Sequence, residues 1–159
     1  MGLIPSSDKM PSCKFIFPTN FDVVKANQNF TIQMAIINME VGIFTNPNLS
    51  YFAAPQQLNS NGQIAGHSHF SIQAIKSFNQ TTPINPKEFA FFTAVNSASV
   101  NGVLSEVVVG GLPVGFYKLS SINTAANNQP VLVPIVQRGA LDDAVYVSRG
   151  VPVIFDHIG

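Results

Sequence analysis

Residues 30–38 read FTIQMAIIN, and the stretch alternates. Phe30, Ile32, Met34 and Ile36 fall on one side of an extended chain, with Thr31 and Gln33 on the other. That two-residue period predicts a strand with one face buried and one face wet. The same short rhythm recurs outward in both directions. KFIF (14–17) and FDVVK (21–25) precede it; VGIFT (41–45), HSHFSIQAI (67–75), VLSEVVV (103–109), FYKLSSI (116–122), VLVPIV (131–136), AVYVS (144–148) and VPVIF (151–155) follow. Turn formers lie between them: Pro18, Asn46-Pro47, Asn61-Gly62, Gly110 to Pro113, Asn127 to Pro130 and Arg149-Gly150. Many short strands divided by such turns predict an all-β, single-domain antiparallel β-sandwich, Ig-like or jelly-roll-like. At most one short helix is expected, over NPKEFAFF (85–92), with Asn85 as cap, Pro86 at the first helical position and Glu88 at the third. Phe89, Phe91 and Phe92 fit a strand equally well.

With 159 residues and 46% hydrophobic content, the chain suits one domain over 1–159 with a substantial core, residues 1–13 forming an extended N-terminal segment. Eight acidic and eight basic residues give a net charge of zero, and the Lys and Arg residues are scattered rather than clustered. A nucleic-acid binder concentrates them on one face, so no nucleic-acid partner is expected. No run of 18 apolar residues is present, so no membrane span is expected.

Fifteen Asn, fourteen Ser and seven Thr supply an uncharged polar surface of extracellular type. Asn29, Asn48 and Asn79 begin N-x-[ST] triplets, candidate glycosylation sites close in number to the roughly two that chance would place. The start, MGLIPSSDKMPSC, lacks a charged n-region and an apolar run, so a secreted form of this chain is expected to be a mature form or an excised domain. Cys13 is the only cysteine; in a secreted protein it implies an intermolecular disulfide, a lost partner or a free thiol.

The pair His67 and His69 poses the sharpest chemical question. On a strand they share a face with Ser71 and Gln73, opposite Phe70 and Ile72, so a solvent-facing polar row is expected. The competing reading is a metal site, in which two imidazoles at i and i+2 need a third ligand from Glu106, Asp142, Asp143 or His157. GQIAGHSHFSIQ also looks similar to the first motif of the cupin barrels, but Gln73 or Ala74 stands where that family has its Glu ligand. LPVGFYKL keeps Pro113 and Gly115 of the second motif, but Lys118 stands near the place of its His. GHSHF likewise resembles a serine-hydrolase nucleophile elbow, except that Phe70 occupies a position that needs a small residue.

Asp142-Asp143 is the one acidic pair, and neighbours on a strand point apart, so no acid/base couple is expected there. QRGALDDAVYV reads as a Gly turn with Arg138 within reach of a carboxylate. A glycan-binding face would draw on Tyr51, Tyr117 and Tyr146, the thirteen Phe being assigned to the core. EVVVGG, VLVPIV and VPVIF carry few of the charges that discourage edge pairing, Pro134 and Pro152 excepted, so pairing into oligomers or filaments is one expectation and central, covered strands the other.

YFAAPQQLNSNGQIAGHSHFSIQ, NPKEFAFFTAVN and GGLPVGFYKLSSINTAANNQPVLVPIVQRGALDDAVYV together resemble a group of secreted basidiomycete proteins without a settled activity. The likeness runs from about Phe21 to Val147 and implies a fungal, secreted chain. Where such proteins carry late cysteines this one has Leu119 and Ala144, which removes a disulfide and leaves Cys13 unpaired. The resulting expectation is a secreted fungal glycoprotein with a structural or surface-interaction role, no cofactor, and a second copy or a cell-wall glycan as partner. A cupin-like metal enzyme built on His67 and His69 is the alternative, and a glycan-binding module a third.

Overall fold

The computed structural model describes residues 1–51 and 53–150. The alternating stretch forms β3 (Phe30–Ile37), with Ile32, Met34 and Ile36 buried and Thr31 and Gln33 exposed. Among the described residues nine other strands surround it: β1 (Ser12–Phe17), β2 (Val23–Val24), β4 (Met39–Val41), β5 (Gln57–Leu58), β6 (Ile64–Ile75), β7 (Phe91–Val95), β8 (Val103–Val108), β9 (Gly115–Ala125) and β10 (Ala144–Arg149). The one α-helix among the described residues, α1, is a single turn over Pro47–Ser50, capped by Asn46.

The strands build a sandwich of two sheets. The smaller is antiparallel in the order β1-β3-β8, and the larger runs β2-β10-β9-β6-β4, with β5 and β7 also paired to β6. The larger sheet is mixed, since β2 pairs with β10 and β4 with β6 in parallel. Ile32, Met34 and Leu104 of the smaller sheet meet Phe70, Ile72, Leu119 and Val145 of the larger in one continuous core. Phe15 and Phe70 close it edge to face, their ring centres 5.5 Å apart. Burying each such side chain contributes about 1.5–3 kcal/mol, which makes this interior the main source of stability.

Three sequence expectations change. VLVPIV (131–136) forms no strand. Instead the buried Gln56 amide serves it: Leu132 N donates to Gln56 Oε1 (2.9 Å), while Gln56 Nε2 donates to the carbonyls of Leu132 (3.0 Å) and Leu3 (2.8 Å). NPKEFAFF forms a turn and not a helix. Its capping bonds are made, Lys87 N to Asn85 Oδ1 and Asn85 Nδ2 to Glu88 Oε1, but Ala90 N then donates to Ile72 O (2.7 Å) and the chain enters β7. VGIFT contributes only Val41 to a strand, Gly42 turning the chain at φ +87°. VPVIF (151–155) lies outside the described residues. VLSEVVV stands at an edge of the smaller sheet, as β8. At the N-terminus, Leu3 N bonds Gln56 O, Ser7–Lys9 make one 3-10 turn, and Cys13 already belongs to β1.

Candidate functional site

The long strand β6 carries the two histidines, and its faces divide as the period requires: Phe70 and Ile72 turn to the core, His67 and His69 away from it. The outer face is nevertheless covered. His67 is 2% and His69 8% exposed, which overturns the expected solvent-facing row. The cover comes from remote segments. Phe44 meets the His67 ring edge-on at 6.3 Å, Phe92 of β7 stacks on His69 at 5.5 Å, and the two imidazole centres lie 4.8 Å apart. Gly66 explains how β9 comes so close: a Cβ there would sit 2.0 Å from the Thr124 carbonyl oxygen.

Both nitrogens of His67 are engaged. Nδ1 lies 3.1 Å from Ile43 O and Nε2 2.9 Å from Asn128 Oδ1, an oxygen at each nitrogen. A neutral ring donates to one of these oxygens only, and its second nitrogen then pairs with Asn128 only when the amide is turned to present Nδ2. Asn128 holds this position in a left-handed conformation, φ +69°. His69 Nδ1 approaches Ile122 O at 3.4 Å. Burial pushes the His69 pKa down, and the neighbouring His67 pushes it further, against the Ile122 and Asn128 contacts. Among the described residues no group of three or more His, Cys, Asp and Glu side chains could hold a metal ion. Glu106 is on β8 of the opposite sheet, Asp142 and Asp143 join a separate cluster, and His157 lies outside the described residues.

That second cluster surrounds Cys13. Its Sγ lies 3.4 Å from Ser121 Oγ and from Leu141 O, and 3.5 Å from Asn123 Nδ2. Ser121 Oγ donates to Asp142 Oδ1 (3.2 Å) and accepts from Asp143 N (2.9 Å), while Asn123 N donates to Asp142 Oδ1 (2.7 Å). Burial raises the thiol pKa of Cys13, and the nearby carboxylates raise it further; the opposite of what a nucleophile needs. Burial likewise raises the Asp142 carboxyl, partly offset by its two donors. Asp143 pairs with Lys14 (3.0 Å) and accepts Phe15 N (2.9 Å), the two aspartates diverging as expected. Arg138 donates to Ile135 O (2.8 Å) instead of bridging a carboxylate. Leu119 is buried in the core and Ala144 exposed at the start of β10.

A cleft opens on the outer face of the larger sheet. Strand register sets Tyr146 of β10 opposite Lys118 of β9, and Lys118 opposite Gln73 of β6. These three form the floor of a cleft of about 360 Å³ walled by the 77–86 loop. Phe78 fastens that wall by packing edge-on against Phe116 (5.0 Å) and Phe21 (5.1 Å). Of the tyrosines singled out from sequence, Tyr146 lines the cleft, Tyr51 is exposed beside α1, and Tyr117 is core, its hydroxyl donating to Pro113 O (2.9 Å). Lys118 beside Tyr146 was not legible as a pair, because cross-strand register is set by turns far away. Asn29, Asn48 and Asn79 are all exposed.

A family model described as the CLU5d N-terminal domain matches residues 13–150. Over 145 residues the chain is 40% identical to pathogenicity cluster 5 protein d of Colletotrichum graminicola, the match covering 90% of this chain and 30% of that protein. The chain therefore spans less than a third of that relative's length. No solved structure matches. Colletotrichum is an ascomycete, so the resemblance to basidiomycete proteins is not supported as to the group of fungi, whereas a family of unsettled function is. From Cys13 to Gly150 the family match takes in all of the sandwich but its N-terminal lead-in, and the chain belongs to the CLU5d N-terminal domain family.

Proposed function

We propose that this domain is a non-catalytic surface-interaction module of a secreted fungal glycoprotein, with a cell-wall glycan as its partner. One observation carries the reading: His67, Asp142 and Asp143 are spent on internal bonds, whereas a cleft with an aromatic and a cation stands open. The relative's name, a pathogenicity cluster protein, fits a secreted product. The three exposed asparagines support glycosylation, with Asn29 Oδ1 also accepting Gly110 N (2.6 Å). No helix among the described residues is long and apolar enough to cross a membrane.

The test is depletion of the purified domain from solution by insoluble plant and fungal cell-wall preparations, with the supernatant assayed for released reducing sugars. Saturable depletion without sugar release is expected. No depletion by any preparation, or release of soluble oligosaccharides, overturns the proposal. A metal-dependent enzyme built on His67 and His69 would show one equivalent of bound metal on elemental analysis, lost in His67→Ala.

A second reading, self-association through a sheet edge, is favoured by β8, whose strand partner among the described residues is β3 alone and which carries exposed Val107, with exposed Val109 just past its end. Sedimentation over a wide concentration range tests it. Concentration-dependent growth that Val107→Lys abolishes is expected, and a monomer throughout rejects it.

A further inference from the structure

The cleft on the larger sheet has a chemistry more specific than a generic glycan face. Among its lining residues Lys118 is the one charged side chain, and it makes no ion pair within the described residues. Ser77, Thr82 and Tyr146 also line it, and their hydroxyls make no hydrogen bond within the described residues. The amides, by contrast, are structural. Gln73 Nε2 donates to Asn85 O (3.2 Å) and Glu88 O (3.1 Å), and Gln80 bonds Lys76 N (2.9 Å) and Thr82 O (2.8 Å). The wall is thus preformed at both ends, which lowers the ordering cost of binding.

We infer that the Tyr146–Lys118 cleft binds a carboxylated sugar, a uronic acid residue of an acidic polysaccharide. The inference rests on the surface-interaction reading above and deepens it. An unpaired ammonium calls for an anion, and one positive charge matches one carboxylate. Three unpartnered hydroxyls call for a polyhydroxylated body around that anion, since each exchanges hydrogen bonds with a sugar hydroxyl. The half-exposed Tyr146 ring offers a flat apolar surface to the sugar's C–H face while its phenol stays free to bond. At about 360 Å³ the cleft sits near the small end of the range for ligand sites, roughly 300–1,000 Å³, which suits a short oligosaccharide.

The experiment is a calorimetric and NMR titration of the intact domain with trigalacturonate, with its methyl ester, and with a neutral galactose trisaccharide. Lys118→Met and Tyr146→Ser are run in parallel, their folding checked by circular dichroism. Since both side chains lie on the outer face, both variants are expected to fold, and Lys118→Gln stands in should Lys118→Met fail. Trigalacturonate is expected to bind and to shift the resonances of Lys118 and Tyr146. Esterification, Lys118→Met or Tyr146→Ser is each expected to weaken binding at least tenfold. Equal affinity for acid and ester, or undiminished binding by Lys118→Met, overturns the inference. Cell-wall depletion without any response to trigalacturonate overturns it too, but leaves the surface-interaction reading standing; failure of both assays rejects both.

Discussion

His69 links the buried imidazole pair to solution pH. Burial, reinforced by His67, holds its folded-state pKa below the ordinary histidine value. The groups around it are His67, Asn128, the Ile122 carbonyl and the Phe92 ring, none of them an anion. Below about pH 6.5 the unfolded chain takes up a proton that the folded chain refuses, so stability falls as pH falls through that value. Asp142 runs the other way: its raised pKa lets the folded state hold a proton more readily, and it acts nearer the carboxylate range. The urea midpoint is therefore expected to drop from about pH 7.5 to about pH 5.5, and His69→Gln to flatten that slope. A wild-type midpoint indifferent to pH over this window would contradict the assignment. Three positions before His69 on β6, Gly66→Ala tests the close approach of β6 and β9. Its methyl would meet the Thr124 carbonyl and the Ala125 backbone, neither of which moves without breaking the ladder. A loss of about 3 kcal/mol, the upper end of overpacking costs, is expected in chemical denaturation.

At the scale of elements, strands were readable where one face is core and the other is water. β3 is the clearest case, because its wet residues are polar and its buried ones apolar. β6 kept its period and lost its exposure: the residues that cover its outer face, Phe44, Phe92 and Asn128, come from three separate places in the chain. No local pattern around His67 encodes them. NPKEFAFF failed for a related reason. Its cap is local and forms, yet a short helix is marginal alone, and the ladder with β6 wins. VLVPIV looked like a strand, but Gln56, some 75 residues away, supplies the bonds that a neighbouring strand would. Tyr146 was legible as an aromatic, whereas its place beside Lys118 depends on register. The Cys13 cluster shows what such remote contacts do for stability. Ser121 Oγ ties β9 to both aspartates and reaches the thiol of β1. Ser121→Ala leaves Asp143 N without its acceptor and Asp142 short of one donor, a loss expected at about 2 kcal/mol by thermal or urea melting. A variant as stable as the wild type would show that water replaces these bonds at no cost.

For the molecule as a whole, scarcity of charge decides what holds the two sheets together. With sixteen charged side chains in the sequence, one ion pair occurs among the described residues, Lys14 with Asp143. It links β1 to the segment before β10, but the Lys14 side chain is 63% exposed, and such pairs contribute about 0–1 kcal/mol. Its immediate neighbour Phe15 points the other way, 1% exposed, with its ring against Phe70 of the opposite sheet. Removing that ring sacrifices apolar burial and opens a cavity between the layers, a combination that costs about 3–5 kcal/mol. Adjacent substitutions on one strand therefore separate the two contributions. Lys14→Met is expected to change stability by less than about 1 kcal/mol and to remove little salt dependence, while Phe15→Ala loses several times more. Because both sheets share one core, Phe15→Ala is expected to lower a single cooperative transition seen alike by far-ultraviolet circular dichroism and by tyrosine fluorescence. Two separated transitions, or a Lys14→Met variant weaker than Phe15→Ala, would mean that polar links rather than the shared interior join the layers.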